Sequence, residues 1–237
     1  MRIIINNIAG PLVLTVLSLF LVACGSAPVA PSVSDVAQPD KAAAPERRAA
    51  RIGLALGGGA ARGFAHVGVI QVLEEAGLHP QLVTGTSAGS LVAALYASGK
   101  TSQELRRVAE TMEEAEITDW MMPILNRGAL RGEALAKYVN TQVGGKAIEQ
   151  MKIPLGIVAT DLRTGEAVTF RRGNTGSAVR ASSAVPAVFQ PVRIGEREYV
   201  DGGLVSPVPV KQAREMGANF VIAVDISSDP EGNPAGD

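Results

Sequence analysis

The chain has 237 residues, of which 46% are hydrophobic and only 4% aromatic, and its net charge is -1. This length suits one α/β domain with short appendages, and the near-neutral charge, without a run of lysine and arginine, argues against nucleic-acid binding. One cysteine and two histidines are too few for a zinc ligand cluster, so we expect no metal site.

Residues 1–23 have the pattern of a bacterial lipoprotein signal peptide. Arg2 precedes an apolar stretch at 8–23 that is too short to span a bilayer, for which a helix needs about 20 residues. The stretch ends in Leu21-Val22-Ala23-Cys24, which resembles a lipobox, where the cysteine thiol receives a diacylglyceryl group. The alternative is an ordinary signal segment with a chance cysteine. We expect Cys24 to anchor the chain in the bacterial cell envelope, and Gly25 favours the outer membrane.

Residues 24–50 are predicted to form a flexible tether between this anchor and the folded domain. They are rich in alanine, proline and serine, and four prolines interrupt any helix: Pro28, Pro31, Pro39 and Pro45. The domain then occupies residues 51–237, with a polar, disordered tail from Ser227.

The domain opens with a strand, a glycine loop (residues 57–63) and a helix. Residues 52–56 form a short apolar strand, and a helical pattern runs over 64–76. The loop is not a dinucleotide-binding fingerprint, because Arg62 stands where a glycine or alanine is required. Consecutive backbone amides in such a loop can instead bind an oxyanion. His66 shares a helical face with apolar residues, which indicates a packed or capping histidine.

The next strand-to-helix junction has the pattern of a nucleophile elbow. Residues 82–83 favour a strand, residues 91–96 an apolar helix, and Gly85-Thr86-Ser87-Ala88-Gly89 lies between them. The two glycines leave room for the backbone that flanks Ser87, whose side chain is exposed at a helix N-terminus that favours negative charge. The alternative is a glycine-rich turn whose serine only caps the helix.

Helices and strands alternate through the rest of the chain. Thr101 and Glu104 form a capping box for a helix with one apolar face. An apolar run at 117–125 rims an acyl pocket, contacts lipid or packs in the core, and core burial is favoured. The remaining predicted elements are helices at 133–143, 177–184 and 209–216, strands at 154–159, 167–170, 192–194 and 198–200, and a buried strand at 220–226.

Asp201-Gly202-Gly203 follows the strand at 198–200, where an aspartate can reach the end of a neighbouring strand; the alternative is an ordinary turn aspartate. An α/β-hydrolase triad is excluded, because its histidine comes last in the chain whereas His66 and His79 both precede Ser87. A buried carboxylate could itself accept the serine proton and later activate water, provided that it stays ionised.

Three ordered blocks, residues 58–63, 85–89 and 201–203, resemble the signature motifs of bacterial patatin-like phospholipases. The similarity covers residues 51–226. It implies a three-layer α/β/α sandwich with a mainly parallel central sheet and a cofactor-free Ser/Asp dyad, in which Ser87 is the nucleophile and Asp201 the base. It also implies an oxyanion hole at Gly58, Gly59 and Ala60, although the family usually has a third glycine at position 60. The supporting loop residues are then Arg62, Gly63, Gly85, Gly89, Gly202 and Gly203.

These patterns together predict a membrane-anchored serine acyl hydrolase acting on phospholipid or lysophospholipid. An acyltransferase or a thioesterase with the same dyad is an alternative, because an acyl-serine can be transferred to acceptors other than water. A non-catalytic lipid-binding lipoprotein is another alternative, against which the presence of both Ser87 and Asp201 argues.

Overall fold

A computed structural model describes residues 50–112 and 131–227. The predicted signal segment, Cys24, the tether, the apolar run at 117–125 and the tail beyond Ser227 lie outside these residues. Within the two ranges, no helix is both long enough and apolar enough to traverse a bilayer.

Within residues 50–112 and 131–227, seven strands form one mixed sheet. They are β1 (Ile52–Leu56), β2 (Leu82–Thr86), β3 (Leu155–Asp161), β4 (Ala167–Phe170), β5 (Val192–Ile194), β6 (Arg197–Asp201) and β7 (Phe220–Val224). Hydrogen-bonded neighbours follow the path β5-β6-β3-β2-β1-β7, in which β6 and β2 pair with successive parts of one edge of β3 while β4 pairs with its other edge. The pairs β7-β1, β1-β2 and β2-β3 are parallel, whereas β3-β4, β3-β6 and β5-β6 are antiparallel. Parallel pairing is thus confined to four strands, which is less than predicted.

Helices pack on both faces of this sheet. They are α1 (Ala65–Glu75), α2 (Ala88–Ala97), α3 (Ser102–Thr111), α4 (Glu133–Gln142), α5 (Thr175–Ser182) and α6 (Val210–Glu215), and 3-10 turns lie at Ala60–Phe64, Ile148–Gln150 and Gly202–Leu204. The largest core joins the sheet to α2 and α4 through Leu56, Leu95 and Leu135. A separate small core joins Leu82 in β2 to Ala213 in α6. The predicted α/β fold is therefore confirmed.

α2 is the central helix and carries the elbow. All of its residues are buried, which fits a sequence that is apolar on every side. The helix follows β2 directly, so Ser87 is held between a buried strand and a buried helix. This rigid setting fixes the position of the candidate nucleophile.

Differences from the predicted elements have local causes. α5 begins at Thr175, earlier than predicted, because the Asn174 side chain caps it by accepting a hydrogen bond from Ser177 N. The capping box of Thr101 and Glu104 is present as predicted. β7 is partly exposed, not buried, because among the described strands it pairs only with β1.

Candidate active site

Ser87 and Asp201 are brought together by two strands that follow one another along the same edge of β3. Thr86, the last residue of β2, pairs with Val158, and Asp201, the last residue of β6, pairs with the next residue, Ala159. β4 pairs with both of these β3 residues and therefore occupies the other edge. Because β2 is parallel and β6 antiparallel to β3, the carboxyl ends of β2 and β6 meet. Ser87, which follows β2, consequently lies beside Asp201.

The two side chains form a direct hydrogen bond. Ser87 Oγ donates to Asp201 Oδ2 at 2.7 Å. The other carboxylate oxygen, Oδ1, accepts the Gly203 N–H at 2.6 Å. The Asp201 amide donates to Ala184 O at 2.9 Å, and the Asp201 carbonyl accepts the Thr160 hydroxyl at 2.8 Å. Both the carboxylate and its backbone are thus held in place.

Burial changes the acidity of this carboxylate. Asp201 is only 7% exposed, and the resulting desolvation raises its pKa above the usual aspartate range. The hydrogen bonds from Gly203 and Ser87 act in the opposite direction but are the smaller causes. Asp201 is therefore a stronger base than an exposed aspartate, which suits a proton acceptor.

The Ser87 backbone is in a strained conformation that its surroundings impose. Its φ is +52° and its ψ is -125°, a region that costs a non-glycine residue about 1–3 kcal/mol. Ser90 fixes the Ser87 carbonyl, since its hydroxyl and its amide donate to that oxygen at 2.6 and 2.8 Å. The flanking glycines are required, because a Cβ on Gly85 would lie 2.5 Å from Gly89 O and one on Gly89 would overlap Leu56 O.

Ser182 is a site residue that sequence analysis did not identify. Its hydroxyl accepts the Ser87 N–H at 2.8 Å and donates to Val158 O at 2.5 Å. It therefore ties the Ser87 backbone to both α5 and β3. In the sequence, residues 180–182 resemble a connecting segment of the patatin-like phospholipases, but this likeness does not reveal the contact.

The glycine loop lies against the elbow. A Cβ on Gly58 would come within 3.2 Å of Ser87 Cβ, and one on Gly63 within 2.9 Å of Ala88 Cβ. The Gly58 amide is already engaged, because it donates to Pro207 O at 3.0 Å. The amides of Gly59 and Ala60, by contrast, have no acceptor among the residues that the structure describes. The Gly59 and Ala60 amides are therefore available as hydrogen-bond donors, whereas the Gly58 amide already has an acceptor.

Arg62 and Gly59 fix this loop to the chain that follows β7. Arg62 Nε donates to Ile226 O at 2.7 Å, and a Cβ on Gly59 would come within 2.8 Å of the same oxygen. Ala60 adopts φ +51°, a conformation that a glycine would occupy without strain. Directly after β6, a Cβ on Gly202 would overlap Val158 O, so the backbone that follows Asp201 packs tightly against β3.

Neither histidine contacts the serine and aspartate. His66 is fully buried, and its Nε2 lies 2.8 Å from Gly57 O, at the start of the glycine loop. Burial lowers the pKa of His66, and the weaker opposing effect is this hydrogen bond. His79 is exposed in the segment before β2, at the opposite end of that strand from Ser87. No group of three potential metal ligands occurs within 50–112 or 131–227.

A strained serine at a strand-to-helix turn, hydrogen-bonded to a buried carboxylate, is an arrangement suited to nucleophilic catalysis. The family model described as patatin-like phospholipase matches residues 54–214, which include the glycine loop, the elbow and Asp201. The chain belongs to the patatin-like phospholipase family.

The chain is also similar in sequence to known NTE family and patatin-like proteins, and in fold to a solved structure. An uncharacterized NTE family protein of Mycobacterium tuberculosis is 39% identical over 188 residues, which are 79% of this chain and 52% of that protein. Human patatin-like phospholipase domain-containing protein 6 is 35% identical over 188 residues, covering 76% of this chain and 14% of that protein. The chain thus spans about half the length of the mycobacterial relative. The crystal structure of VipD from Legionella pneumophila shares the fold, with a TM-score of 0.51 at 18% identity over 65% of this chain and 46% of VipD.

Proposed function

We propose that the chain is a serine acyl hydrolase that cleaves acyl esters of phospholipids or lysophospholipids through a dyad of Ser87 and Asp201. The observation that carries the proposal is the 2.7 Å hydrogen bond between Ser87 Oγ and Asp201 Oδ2. Membership of the patatin-like phospholipase family supports a lipid ester as the substrate. The reaction needs no cofactor, because the serine and the carboxylate supply the nucleophile and the base.

In the proposed first step, Ser87 Oγ attacks the ester carbonyl carbon while Asp201 accepts the hydroxyl proton. The amides of Gly59 and Ala60 stabilise the resulting oxyanion. The carbon–oxygen bond to the lipid alcohol then breaks, and that oxygen takes the proton from Asp201. An acyl-serine ester remains, and the released alcohol is a lysophospholipid, or a glycerophosphodiester when the substrate is itself a lysophospholipid.

In the second step, a water molecule attacks the acyl-serine. Asp201 accepts a proton from this water, and the tetrahedral intermediate again places its negative charge at the two free amides. Collapse releases the fatty acid and returns the proton to Ser87. The same acyl-serine could pass its acyl group to an alcohol or originate from a thioester, so acyl transfer and thioester hydrolysis are the alternative reactions.

Analysis of lipid products separates these possibilities. The full chain is incubated with phosphatidylethanolamine, phosphatidylglycerol or their lyso forms, with and without an added alcohol acceptor, and the products are measured by mass spectrometry. Free fatty acid released in equal amount to the deacylated lipid supports the hydrolase. The acylated alcohol as the main product would indicate a transferase, and no products from any of these esters would support a non-catalytic lipid-binding protein. A Ser87→Ala chain is the matched blank.

Ser182→Ala is expected to lower kcat on a soluble short-chain ester by about 10- to 100-fold, because the Ser87 amide loses its acceptor and the nucleophile is less well oriented. Ser183→Ala is the control. The Ser183 hydroxyl is equally buried but has no hydrogen-bond partner among the described residues, so its removal should leave kcat within about twofold. Steady-state kinetics and thermal unfolding of both variants make the comparison; equal losses of kcat would contradict a specific role for Ser182.

We also propose that Cys24 is lipidated and holds the domain at the bacterial cell envelope, with the outer membrane as the destination. Cys24→Ser is expected to abolish labelling of the chain by a radioactive fatty acid and to leave an unprocessed precursor or a soluble product, since a hydroxyl cannot form the thioether. Fractionation and labelling of expressing cells measure both. Unchanged labelling of the variant would contradict the anchor.

A further inference from the structure

Exposed apolar side chains occur next in sequence to residues that contact the dyad or the elbow. They lie on three separate segments and are 46%, 42%, 61% and 39% exposed, respectively: Phe64, Val185, Leu204 and Val205. We name these four residues the apolar rim. Removing this apolar surface from water would be favourable by about 25 cal/mol for each Å² buried.

Each segment of the apolar rim is connected to the dyad by a contact at a neighbouring residue. Phe64 follows Gly63, whose Cα faces Ala88 beside the nucleophile. Val185 follows Ala184, whose carbonyl accepts the Asp201 amide. Leu204 ends the 3-10 turn that starts directly after Asp201. The apolar rim therefore lies on three segments, each of which contacts the elbow or Asp201 through a neighbouring residue.

Within the described ranges, the other exposed large apolar residues are Val72, Leu78, Leu162 and Phe220. Leu162 follows the carboxyl end of β3, whereas two of the others lie at the opposite end of the sheet from the dyad. Leu78 precedes β2 and Phe220 begins β7, so both lie at the amino ends of parallel strands, whereas the dyad lies at a carboxyl end. A grouping of exposed apolar residues at one end, around the site, marks an interaction surface.

We infer that the apolar rim inserts into the surface of a phospholipid bilayer and presents Ser87 to lipid esters there. The inference rests on the proposed function, because a phospholipid ester lies just beneath the head groups, at the depth that shallowly inserted apolar side chains reach. The neighbouring charge is compatible with this occupant: Arg62 is exposed beside Phe64 and pairs with no carboxylate in the described part of the chain. Its guanidinium suits lipid phosphates.

Side-chain footprinting tests the orientation directly. The full-length Ser87→Ala chain, which leaves lipids intact, is exposed to hydroxyl radicals with and without vesicles of phosphatidylethanolamine and phosphatidylglycerol. Two residue pairs of matched type compare the ends of the sheet: Phe64 with Phe220, and Leu204 with Leu78. Vesicles should reduce oxidation of Phe64 and Leu204 by about threefold or more and leave Phe220 and Leu78 nearly unchanged.

Several outcomes would overturn the inference. Equal protection of both ends would show that the vesicle shields the domain without orienting it, and no protection of Phe64 and Leu204 would show that the apolar rim stays in water. Low oxidation of these two residues before vesicles are added would show that another part of the chain or a second copy covers them. Because hydrolysis is measured separately with the wild-type chain, lipid products without protection would contradict only the insertion. Protection without lipid products would contradict only the proposed hydrolase.

A kinetic comparison uses the same pairs. The double variant Phe64→Ser, Leu204→Ser should lower the ratio of vesicle-phospholipid hydrolysis to soluble-ester hydrolysis by about tenfold or more. The double variant Phe220→Ser, Leu78→Ser should leave this ratio unchanged. A parallel loss on both substrates in the first variant would indicate damage to the glycine loop and would contradict the role in membrane insertion.

Discussion

Ser87→Ala is expected to reduce ester hydrolysis by about 10^4-fold or more while the domain stays folded, because a nucleophile and its base act as one unit. The variant loses only the Oγ that bonds to Asp201. Its backbone amide still donates to Ser182, and Ser90 still donates to its carbonyl, so the elbow keeps its conformation. Steady-state kinetics on a soluble short-chain ester, with thermal unfolding as the measure of folding, give the comparison.

Ser183→Ala serves as a control for general effects of serine removal, since the Ser183 hydroxyl is buried but makes no hydrogen bond within the described residues. Turnover by Ser87→Ala comparable to that of Ser183→Ala would rule out a covalent mechanism at Ser87. A loss of activity accompanied by a large fall in Tm would point to misfolding of the elbow and would contradict the expectation that the variant stays folded.

Asp201→Asn is expected to be nearly as damaging, with a loss of about 10^4-fold, because an amide cannot accept the serine proton. The amide oxygen of asparagine can still accept the Gly203 N–H, so the 3-10 turn after β6 should be retained. The variant also removes a carboxylate that burial makes unfavourable to ionise, so at neutral pH its Tm should be no lower than that of the wild type. Activity within tenfold of wild type would show that another group is the base.

The raised pKa of Asp201 also predicts how activity and stability change with pH. Activity needs the ionised carboxylate, so kcat/KM should be lost as the pH falls through the raised pKa of folded Asp201, above the usual aspartate value of about 3.9. The stabilising effect of the bound proton is fully present below the pKa of the unfolded chain and is lost as the pH rises through the folded pKa. The Tm of Asp201→Asn relative to that of the wild type should therefore increase as the pH rises from acid to neutral. An acid limb of kcat/KM at or below the ordinary aspartate value would contradict this assignment.

The elbow could be predicted from sequence because its determinants are local. The two glycines and Ser87 lie within five residues between a strand and an apolar helix, and the structure shows the steric contacts that exclude a Cβ at each glycine. The partnership with Asp201 depends instead on strand register, since both β2 and β6 must end at neighbouring residues of β3. Sequence order indicated only that no histidine was suitably placed to be the base.

Contacts between distant segments account for what the sequence could not show. Gly58 was expected in the oxyanion hole, but Pro207, far along the chain, accepts its amide. Ser182 has no distinctive local pattern, yet α5 places its hydroxyl between Ser87 and Val158. The exposure of β7 likewise depends on which strand pairs with it, not on its own apolar sequence.

A covalent nucleophile at Ser87 with Asp201 as its base is tested most directly by reaction of the full chain with a fluorophosphonate ester, followed by peptide mass mapping. We expect a single adduct on the peptide that contains Ser87, formed at the rate at which ester hydrolysis is lost. The adduct should be absent from Ser87→Ala and should form much more slowly in Asp201→Asn. Folded wild-type protein that acquires no adduct, or that loses activity through an adduct at another serine, would contradict the claim.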